Sequence, residues 1–300
     1  MPRKVLLIAL AALVAAGCGA ASTASNGSGG VRIVAAENFW GSIASQLAGS
    51  KGTVQSIITN PAQDPHSYEP SASDARTLAT AQLAIVNGVS YDPWAPKLLA
   101  ANPASGRTVL DVGKLLGLAE GDNPHRWYAP MDVTAVAEAI TRDLKALDHK
   151  DAAYFDKQLS KFENSDLARY HALLDQIDTR YAGVPVGASE SIFALQAPAL
   201  GLNLVTPRSF MKAISEGTEV SAPDVLTTEH QITAHQIKVW IYNSQNATPE
   251  VQRLNSMAKA ASIPIATITE TLDPATATFE QWQVAQLQRI ERALHQATGR

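Results

Sequence analysis

From residue 31 onward, short runs of β-branched residues alternate with longer stretches of helical periodicity along the chain. This alternation is typical of α/β proteins whose sheets are mostly parallel. The strands are predicted at residues 31–35, 54–58, 84–87, 184–187, 203–205, 239–242 and 263–268. With 300 residues, of which 46% are hydrophobic, the chain is long enough for two lobes that each bury a core. The sequence therefore predicts an α/β fold of two lobes, each with a mostly parallel central sheet flanked by helices.

The longest stretch without a predicted strand lies between the third and fourth strands. Its apolar residues recur mostly at spacings of three and four, at Phe155, Leu159, Phe162, Tyr170, Leu173, Leu174 and Ile177. This pattern predicts one long rigid helix over residues 151–181, about 45 Å long at roughly 1.5 Å per residue. The helix would connect an N-terminal lobe at residues 31–150 to a C-terminal lobe at residues 182–300. A coiled-coil dimerisation helix is the alternative, which the lack of a sustained seven-residue repeat disfavours.

The only cysteine, Cys18, follows a segment with the features of a secretory leader. Two positive charges near the start precede an apolar run over residues 5–16, which is too short to span a bilayer. The small residues just before Cys18 resemble a bacterial lipobox, in which the thiol is acylated. We therefore expect a signal peptide at residues 1–17, a lipid anchor on Cys18 and a flexible tether at residues 18–30. These features predict an extracytoplasmic protein held to the membrane, and a soluble secreted protein is the alternative.

The charge balance argues against one class of partner. Lysine and arginine number 24 and aspartate and glutamate 28, which gives a formal net charge of −4. A chain with this balance has no basic field to hold a polyanion, so nucleic-acid binding is not expected. We expect a monomer.

Two of the seven histidines stand apart from the others by their surroundings. His66 and His125 each follow a proline, in predicted loops beyond an α/β unit, where the ligands of such folds gather. An imidazole held stiffly in such a loop is a good metal ligand. His149, His171 and His295 lie in predicted helices with polar surroundings, which is typical of surface histidines. His230 and His235 are five residues apart, a spacing that does not place both on one helix face. The zinc-protease pattern of two histidines four apart around a glutamate is absent from the sequence.

The segments around these two histidines resemble a known family. Residues 64–71 (DPHSYEPS), followed by residues 74–76 (DAR), are similar to the first ligand loop of the metal-binding solute receptors of bacterial ABC importers. The segment Asn123-Pro124-His125 resembles the second ligand loop of that family of zinc and manganese substrate-binding lipoproteins. The similarity runs from about Val31 to His295 and includes residues 81–94, the predicted long helix and the motif at residues 279–282.

The resemblance implies four metal ligands, two from each lobe. His66 and His125 would come from the first lobe. Glu190 and Glu270 would come from the second lobe. Zinc-preferring members of the family often carry histidine at the first of these positions, and aspartate is the commoner residue at the second. Asp273 is the rival for the last position, and either glutamate could instead be a negative charge at the start of a helix. The ion would bridge the cleft between the lobes.

The types of donor atom indicate which metal ion the site prefers. Two neutral imidazoles and two carboxylates cancel a 2+ charge and supply about four to six nitrogen and oxygen donors. Carboxylates that can bind through both oxygens favour a coordination number above four, which suits Mn²⁺ or Fe²⁺ better than Zn²⁺. Residues 67–124 also contain no histidine, whereas zinc receptors of the family often insert a histidine-rich loop there. Zinc remains the alternative, because the intrinsic affinity of such a site for divalent ions rises from Mn²⁺ to Zn²⁺.

The resemblance implies a function of capture and delivery. A tethered receptor would bind the ion outside the cytoplasm and present it to an ABC transporter permease, with no reaction catalysed. A metal-dependent hydrolase is one alternative, with Glu69 or Asp122 as general base, and a surface adhesin is another. The aromatic residues Trp94, Trp127 and Trp282 are expected in the core rather than in a sugar-binding platform.

Overall fold

The structure is a computed structural model that describes residues 30–61, 63, 65 and 68–300. The predicted signal peptide, Cys18 and His66 lie outside the described residues, as does the predicted tether apart from Gly30. Within the described residues, no helix combines the length and the apolar character needed to cross a bilayer.

The first lobe is built on a sheet of four parallel strands in the order β2-β1-β3-β4. Its strands are β1 (Val31–Glu37), β2 (Gly52–Ile58), β3 (Leu83–Val86) and β4 (Thr108–Asp111). The helices between and after them are α1 (Asn38–Ala48), α2 (Ala72–Ala79), α3 (Trp94–Ala101) and α4 (Val112–Leu115). The central strands β1 and β3 are almost entirely buried, because helices cover both faces of a parallel sheet.

A helical middle section follows the first sheet. It contains α5 (Pro130–Leu147), α6 (Ala152–Lys161) and α7 (Ala168–Tyr181), with a π-helical turn at Phe162–Asp166 between the last two. Residues 151–181 are therefore helical as predicted, but two α-helices fill this stretch instead of one continuous helix. In an α-helix two residues five apart point in different directions, whereas here Phe162 and Leu167 are both buried. The bond from Leu167 N to Phe162 O, at 2.9 Å, closes the wider turn that brings both side chains to the core.

The second lobe repeats the plan of the first, with parallel strands in the order β6-β5-β7-β8. The strands are β5 (Pro185–Ala188), β6 (Asn203–Leu204), β7 (Val239–Asn243) and β8 (Ile265–Ile268). The helices are α8 (Arg208–Ser215), α9 (Ala222–Thr233), α10 (Pro249–Ala260) and α11 (Phe279–Thr298). Both central strands and the helices around them belong to one continuous hydrophobic core that extends into the first lobe.

The last helix ties the two lobes together. Helix α11 packs on α7 and β8, and its first turn reaches α1 of the first lobe. The backbone N–H of Phe279 donates to Ser42 Oγ at 2.8 Å, and Gln46 Nε2 donates to Glu280 Oε2 at 3.0 Å. The C-terminal helix therefore completes the second lobe and also contacts the first.

The predicted α/β class is confirmed, and each of the seven predicted strands corresponds to an observed one within three residues at each end. The strand β4 was not predicted. It has only four residues and lies at the edge of the sheet, where Val109 is exposed, so it lacks the continuous apolar run of a central strand.

Two buried acids lie at the carboxyl end of the first sheet. Glu37, the last residue of β1, is fully buried, and Asp92 is 1% exposed. The backbone N–H groups of Asn87 and Gly88 donate to the Asp92 carboxylate, each at 2.8 Å. Burial raises the pKa of Asp92 to about 6. Burial, and next the neighbouring Asp92 carboxyl, raise the pKa of Glu37 well above its ordinary value.

We expect Glu37→Gln to stabilise the fold at neutral and higher pH. A carboxyl whose pKa is raised on folding stabilises the native state in its neutral form, below the unfolded pKa. That contribution is lost as the pH rises through the folded pKa. Glutamine cannot ionise, so its advantage over the native residue should grow with pH, to about 1 kcal/mol or more at pH 8. Urea unfolding of both proteins at pH 5 and pH 8 measures this difference.

The control is Glu219→Gln, because Glu219 is exposed. This change should leave the pH dependence of unfolding as it is in the native protein. A stability difference for Glu37→Gln that is the same at pH 5 and pH 8 would show that Glu37 does not resist ionisation.

Candidate metal centre

The predicted site residues of the second lobe lie just beyond the carboxyl ends of its strands. Glu190 follows β5 by two residues, and Glu270 follows β8 by two residues. Asn243 is the last residue of β7, which lies between those two strands. Because the carboxyl ends of parallel strands meet at one edge of a sheet, all three side chains point into the same region.

His125 approaches this region from the first lobe. It precedes a 3-10 turn at Arg126–Tyr128 and is fully buried. Its Nε2 atom lies 4.0 Å from Glu270 Oε1. The rings of Tyr91 and Trp127 pack edge-on against the imidazole, at centroid distances of 5.7 and 5.3 Å. The ring is therefore fixed by aromatic packing as well as by its polar contacts.

The orientation of the imidazole is set by Asn123. Both the backbone N–H and Nδ1 of His125 contact Asn123 Oδ1, at 3.1 and 2.7 Å. Asn123 Nδ2 donates to the carbonyl of Ser191 at 2.7 Å, which fixes the Asn123 amide with its oxygen toward the ring. An amide oxygen only accepts hydrogen bonds, so a neutral His125 carries its proton on Nδ1. The Nε2 lone pair then faces Glu270, as a metal ligand requires.

A single amide joins the two carboxylates. Glu190 and Glu270 are 1% and 3% exposed, and Asn243 Nδ2 donates to an oxygen of each. Its bond to Glu270 Oε1 is 3.1 Å long. The second oxygen of Glu190 accepts from Asn246 Nδ2 at 2.7 Å, and that of Glu270 accepts from the Tyr91 hydroxyl at 3.0 Å. These donors are neutral, so each carboxylate oxygen accepts a hydrogen bond from a group that adds no positive charge.

The structure distinguishes Glu270 from its rival. Asp273 is exposed, whereas Glu270 lies beside His125. Glu190 precedes a 3-10 turn at Ser191–Leu195, but its side chain makes no capping bond there. Glu190 thus does not cap that turn through its side chain, and Glu270 lies nine residues before the start of the next α-helix, α11.

Three of the four predicted ligands are thus brought together, and His66 lies outside the described residues. A metal ion held by bonds of about 2.1 Å can join two atoms up to about 4.2 Å apart, which accommodates the His125–Glu270 distance of 4.0 Å. Within the described part of the chain, no group of three or more His, Cys, Asp or Glu side chains is spaced to hold an ion without rearrangement. The donor types suit a divalent cation, and the positions of the acids are set by Asn243.

A cavity of about 480 Å³ lies beside His125, between the lobes. Residues of the first lobe, among them Ser90 and Asn123, form one wall, and residues of the second, among them Ser191 and Met211, form the other. The two candidate general bases of a hydrolase, Glu69 and Asp122, are both exposed.

Several predictions about other side chains are confirmed. Trp94, Trp127 and Trp282 are buried, as expected of core residues. The remaining histidines are exposed or half-buried, at His149, His171, His230, His235 and His295.

The amides around the acids were missed by the sequence analysis. Residues 243–246 (NSQN) form a polar run directly after a predicted strand, which is where α/β proteins place binding groups. This polar run is visible in the sequence, but side-chain amides have no characteristic spacing that identifies them as partners of metal ligands.

Known proteins resemble the chain over most of its length. Residues 33–293 match the family model described as "ZnuA: Zinc-uptake complex component A periplasmic". The manganese-binding lipoprotein MntA of Halalkalibacterium halodurans is 33% identical over 144 residues, 46% of this chain and 47% of MntA. The zinc-binding lipoprotein AdcA of Streptococcus pneumoniae R6 is 25% identical over 79% of this chain and 48% of AdcA. The chain thus spans about half the length of these two relatives.

Other similarities extend over more of the matching protein. The metal ABC transporter substrate-binding lipoprotein FimA of Streptococcus parasanguinis is 23% identical over 81% of each chain. The manganese-bound structure of a periplasmic metal-binding protein from Candidatus Liberibacter asiaticus superimposes with a TM-score of 0.72. That structure is 19% identical and is matched over 88% of this chain and 99% of its own, which supports the two-lobe fold.

We expect Asn243→Leu to destabilise the protein in the presence of a chelator. Leucine is close in size but removes the donor shared by two buried carboxylates, and hydrogen bonds to charged groups are worth about 1.5–3 kcal/mol each. The free energy of unfolding should fall by about 3 kcal/mol. Urea unfolding in EDTA measures the change, with Asn203→Leu at an exposed strand position as the matched control. Equal stability of the two variants would contradict the role assigned to Asn243.

Proposed function

This chain belongs to the ZnuA family of periplasmic zinc-uptake components, and from this premise we propose that it is an extracytoplasmic receptor for one divalent transition-metal ion. The receptor captures the ion between its lobes and delivers it to an ABC transporter permease. The convergence of His125 from the first lobe with Glu190 and Glu270 from the second carries this proposal.

The proposed ligands are His66, His125, Glu190 and Glu270. Two carboxylates cancel the charge of a divalent ion, and two neutral imidazoles complete the donor set. The buried position of the acids supports this assignment, because a cation between them would balance their charge. The orientation of His125 supports it as well, since Asn123 Oδ1 contacts Nδ1 and leaves Nε2 turned toward Glu270.

We propose Mn²⁺ or Fe²⁺ as the preferred cargo, with Zn²⁺ as the alternative. Two carboxylates able to bind through both oxygens favour a coordination number above four. The names of the relatives include both manganese-binding and zinc-binding lipoproteins, so the similarities support a divalent cargo without choosing between the metals.

A receptor is favoured over a metal-dependent hydrolase. A catalytic metal needs an open coordination position with a general base beside it. Glu69 is exposed, Asp122 is exposed and lines the cavity beside His125, and the described polar partners of the acids include amides and a phenol. Binding without turnover accounts for this arrangement.

The chain's organisation follows from the same proposal. Residues 31–150 and 182–300 form the two lobes, and residues 151–181 connect them. A signal peptide at residues 1–17 directs the protein out of the cytoplasm, and acylated Cys18 anchors it to the membrane as a monomer. The relatives MntA, AdcA and FimA are all described as lipoproteins, which supports the anchor.

We expect the purified protein to bind one divalent ion and His125→Ala to lose most of this binding. The ion should raise the melting temperature, because a ligand that binds only the native state adds about 4 kcal/mol of stability at a thousandfold excess over its Kd. Elemental analysis after gel filtration and thermal unfolding with and without EDTA, for Mn²⁺, Fe²⁺ and Zn²⁺, measure both effects.

His230→Ala is the matched control, because His230 is exposed and lies on α9. It should bind metal as the native protein does. Equal metal content in the two alanine variants, or a native protein that takes up none of the three ions, would overturn the proposed function.

A further inference from the structure

Several side-chain amides cross the boundary between the lobes, and two of them also bond directly to a proposed ligand residue. Asn123 of the first lobe donates from Nδ2 to the carbonyl of Ser191 in the second, at 2.7 Å. Gln245 of the second lobe donates from Nε2 to the carbonyl of Pro61 in the first. We call these two residues the interlobe amide clamps.

Each clamp also holds a proposed ligand of its own lobe. The Asn123 oxygen contacts the backbone N–H and Nδ1 of His125. The Gln245 oxygen accepts from the backbone N–H groups of Glu270 and Thr271, at 2.7 and 2.9 Å. Each amide therefore has its oxygen on a ligand-bearing segment of its own lobe and its nitrogen on the opposite lobe.

In the sequence, the contacts on the opposite lobe lie close to the other two proposed ligands. Ser191, which Asn123 reaches, directly follows Glu190 in the chain. Pro61, which Gln245 reaches, lies five residues before His66 in the sequence. One clamp thus joins the segments of His125 and Glu190, and the other joins the segment of Glu270 to Pro61.

The Gln245 amide uses its full hydrogen-bonding capacity. Besides the bond to Pro61, its Nε2 donates to Thr271 Oγ1 at 2.8 Å, and its oxygen accepts two N–H groups. A primary amide has two donor hydrogens and two acceptor lone pairs, so all four are engaged. The backbone N–H of Gln245 also donates to Asn243 Oδ1 at 3.0 Å, which links the clamp to the amide that spans both carboxylates. A fully satisfied network of this kind is rigid.

We propose that the interlobe amide clamps are specificity-determining positioning residues, which fix the spacing between the ligands of the two lobes and so discriminate among divalent ions. The inference rests on the proposed function. Selectivity between ions of similar charge depends on cavity size, ligand number and flexibility of the site. A site whose ligand spacing is free to adjust follows the intrinsic order of affinity, which rises from Mn²⁺ to Zn²⁺. The clamps oppose that adjustment.

The experiment measures the ratio of dissociation constants for Mn²⁺ and Zn²⁺ by competition with a chelator. Gln245→Met keeps the length of the side chain and removes all four hydrogen bonds. It should weaken Mn²⁺ binding about tenfold or more and shift the ratio toward Zn²⁺ at least fivefold, because the loosened ligands relax toward the intrinsic order. Gln236→Met, at an exposed position of the same lobe, is the matched control and should leave the ratio unchanged.

A second variant keeps the proposal falsifiable if Gln245→Met does not fold. Gln245→Asn retains the amide but is one methylene shorter, so it cannot hold both lobes, and it should shift the ratio in the same direction. Asn123→Asp keeps the oxygen that contacts His125 and loses the donor to Ser191. The negative charge of the aspartate attracts both ions. The effect of losing the clamp is therefore measured by the ratio of the two dissociation constants and not by either constant alone.

The possible outcomes distinguish a failure of the proposed function from a failure of the inference about the clamps. A native protein that binds neither ion overturns the proposed function and this inference with it. A native protein that binds metal, together with folded Gln245 and Asn123 variants that keep the native ratio, overturns the inference alone. A purely structural role would lower the melting temperature and weaken both ions by the same factor.

Discussion

Two carboxylates buried against one amide are the constraint on which the rest of this structure depends. Glu190 and Glu270 both accept from Asn243 Nδ2 in a region almost closed to water. Amide and phenol donors bond to these oxygens without adding positive charge, and two ionised carboxylates in a medium of low dielectric would repel each other strongly. In the proposed function a divalent cation would relieve that repulsion, and His125, whose Nε2 lies 4.0 Å from Glu270 Oε1, would complete its coordination.

The fold makes this convergence possible by repeating one plan. Each lobe has a four-stranded parallel sheet, and loops at the carboxyl ends of strands carry the polar groups. The two sets of loops face each other across the cavity beside His125. Helix α11 joins the lobes at its first turn, and the interlobe amides join them at the site itself. The relative position of the lobes is therefore held from two sides.

The local pattern of the chain was sufficient to predict much of this. Buried strands such as β3 and β7 are continuous apolar runs, which is why they were recognised, whereas the exposed edge strand β4 was not. The prediction of helical structure over residues 151–181 was also correct, although the π turn at Phe162–Asp166 was not predicted. Such a turn depends on how individual side chains pack in the core, and a rule based on residue spacing contains no information about that packing.

The sequence by itself determined the α/β class and the two-lobe plan, because periodicity is a property of neighbouring residues, and its resemblance to a known family supplied the proposed ligands. Only the tertiary structure decided that Glu270 rather than Asp273 lies beside His125, that Asn243 bonds to both Glu190 and Glu270, and that Asn123 and Gln245 bridge the lobes. The partners in these contacts are far apart in the chain: Tyr91 and Glu270, for example, are separated by 179 positions. Hydrogen bonds over such separations are set by how the two sheets pack, and no local pattern of residues records that packing.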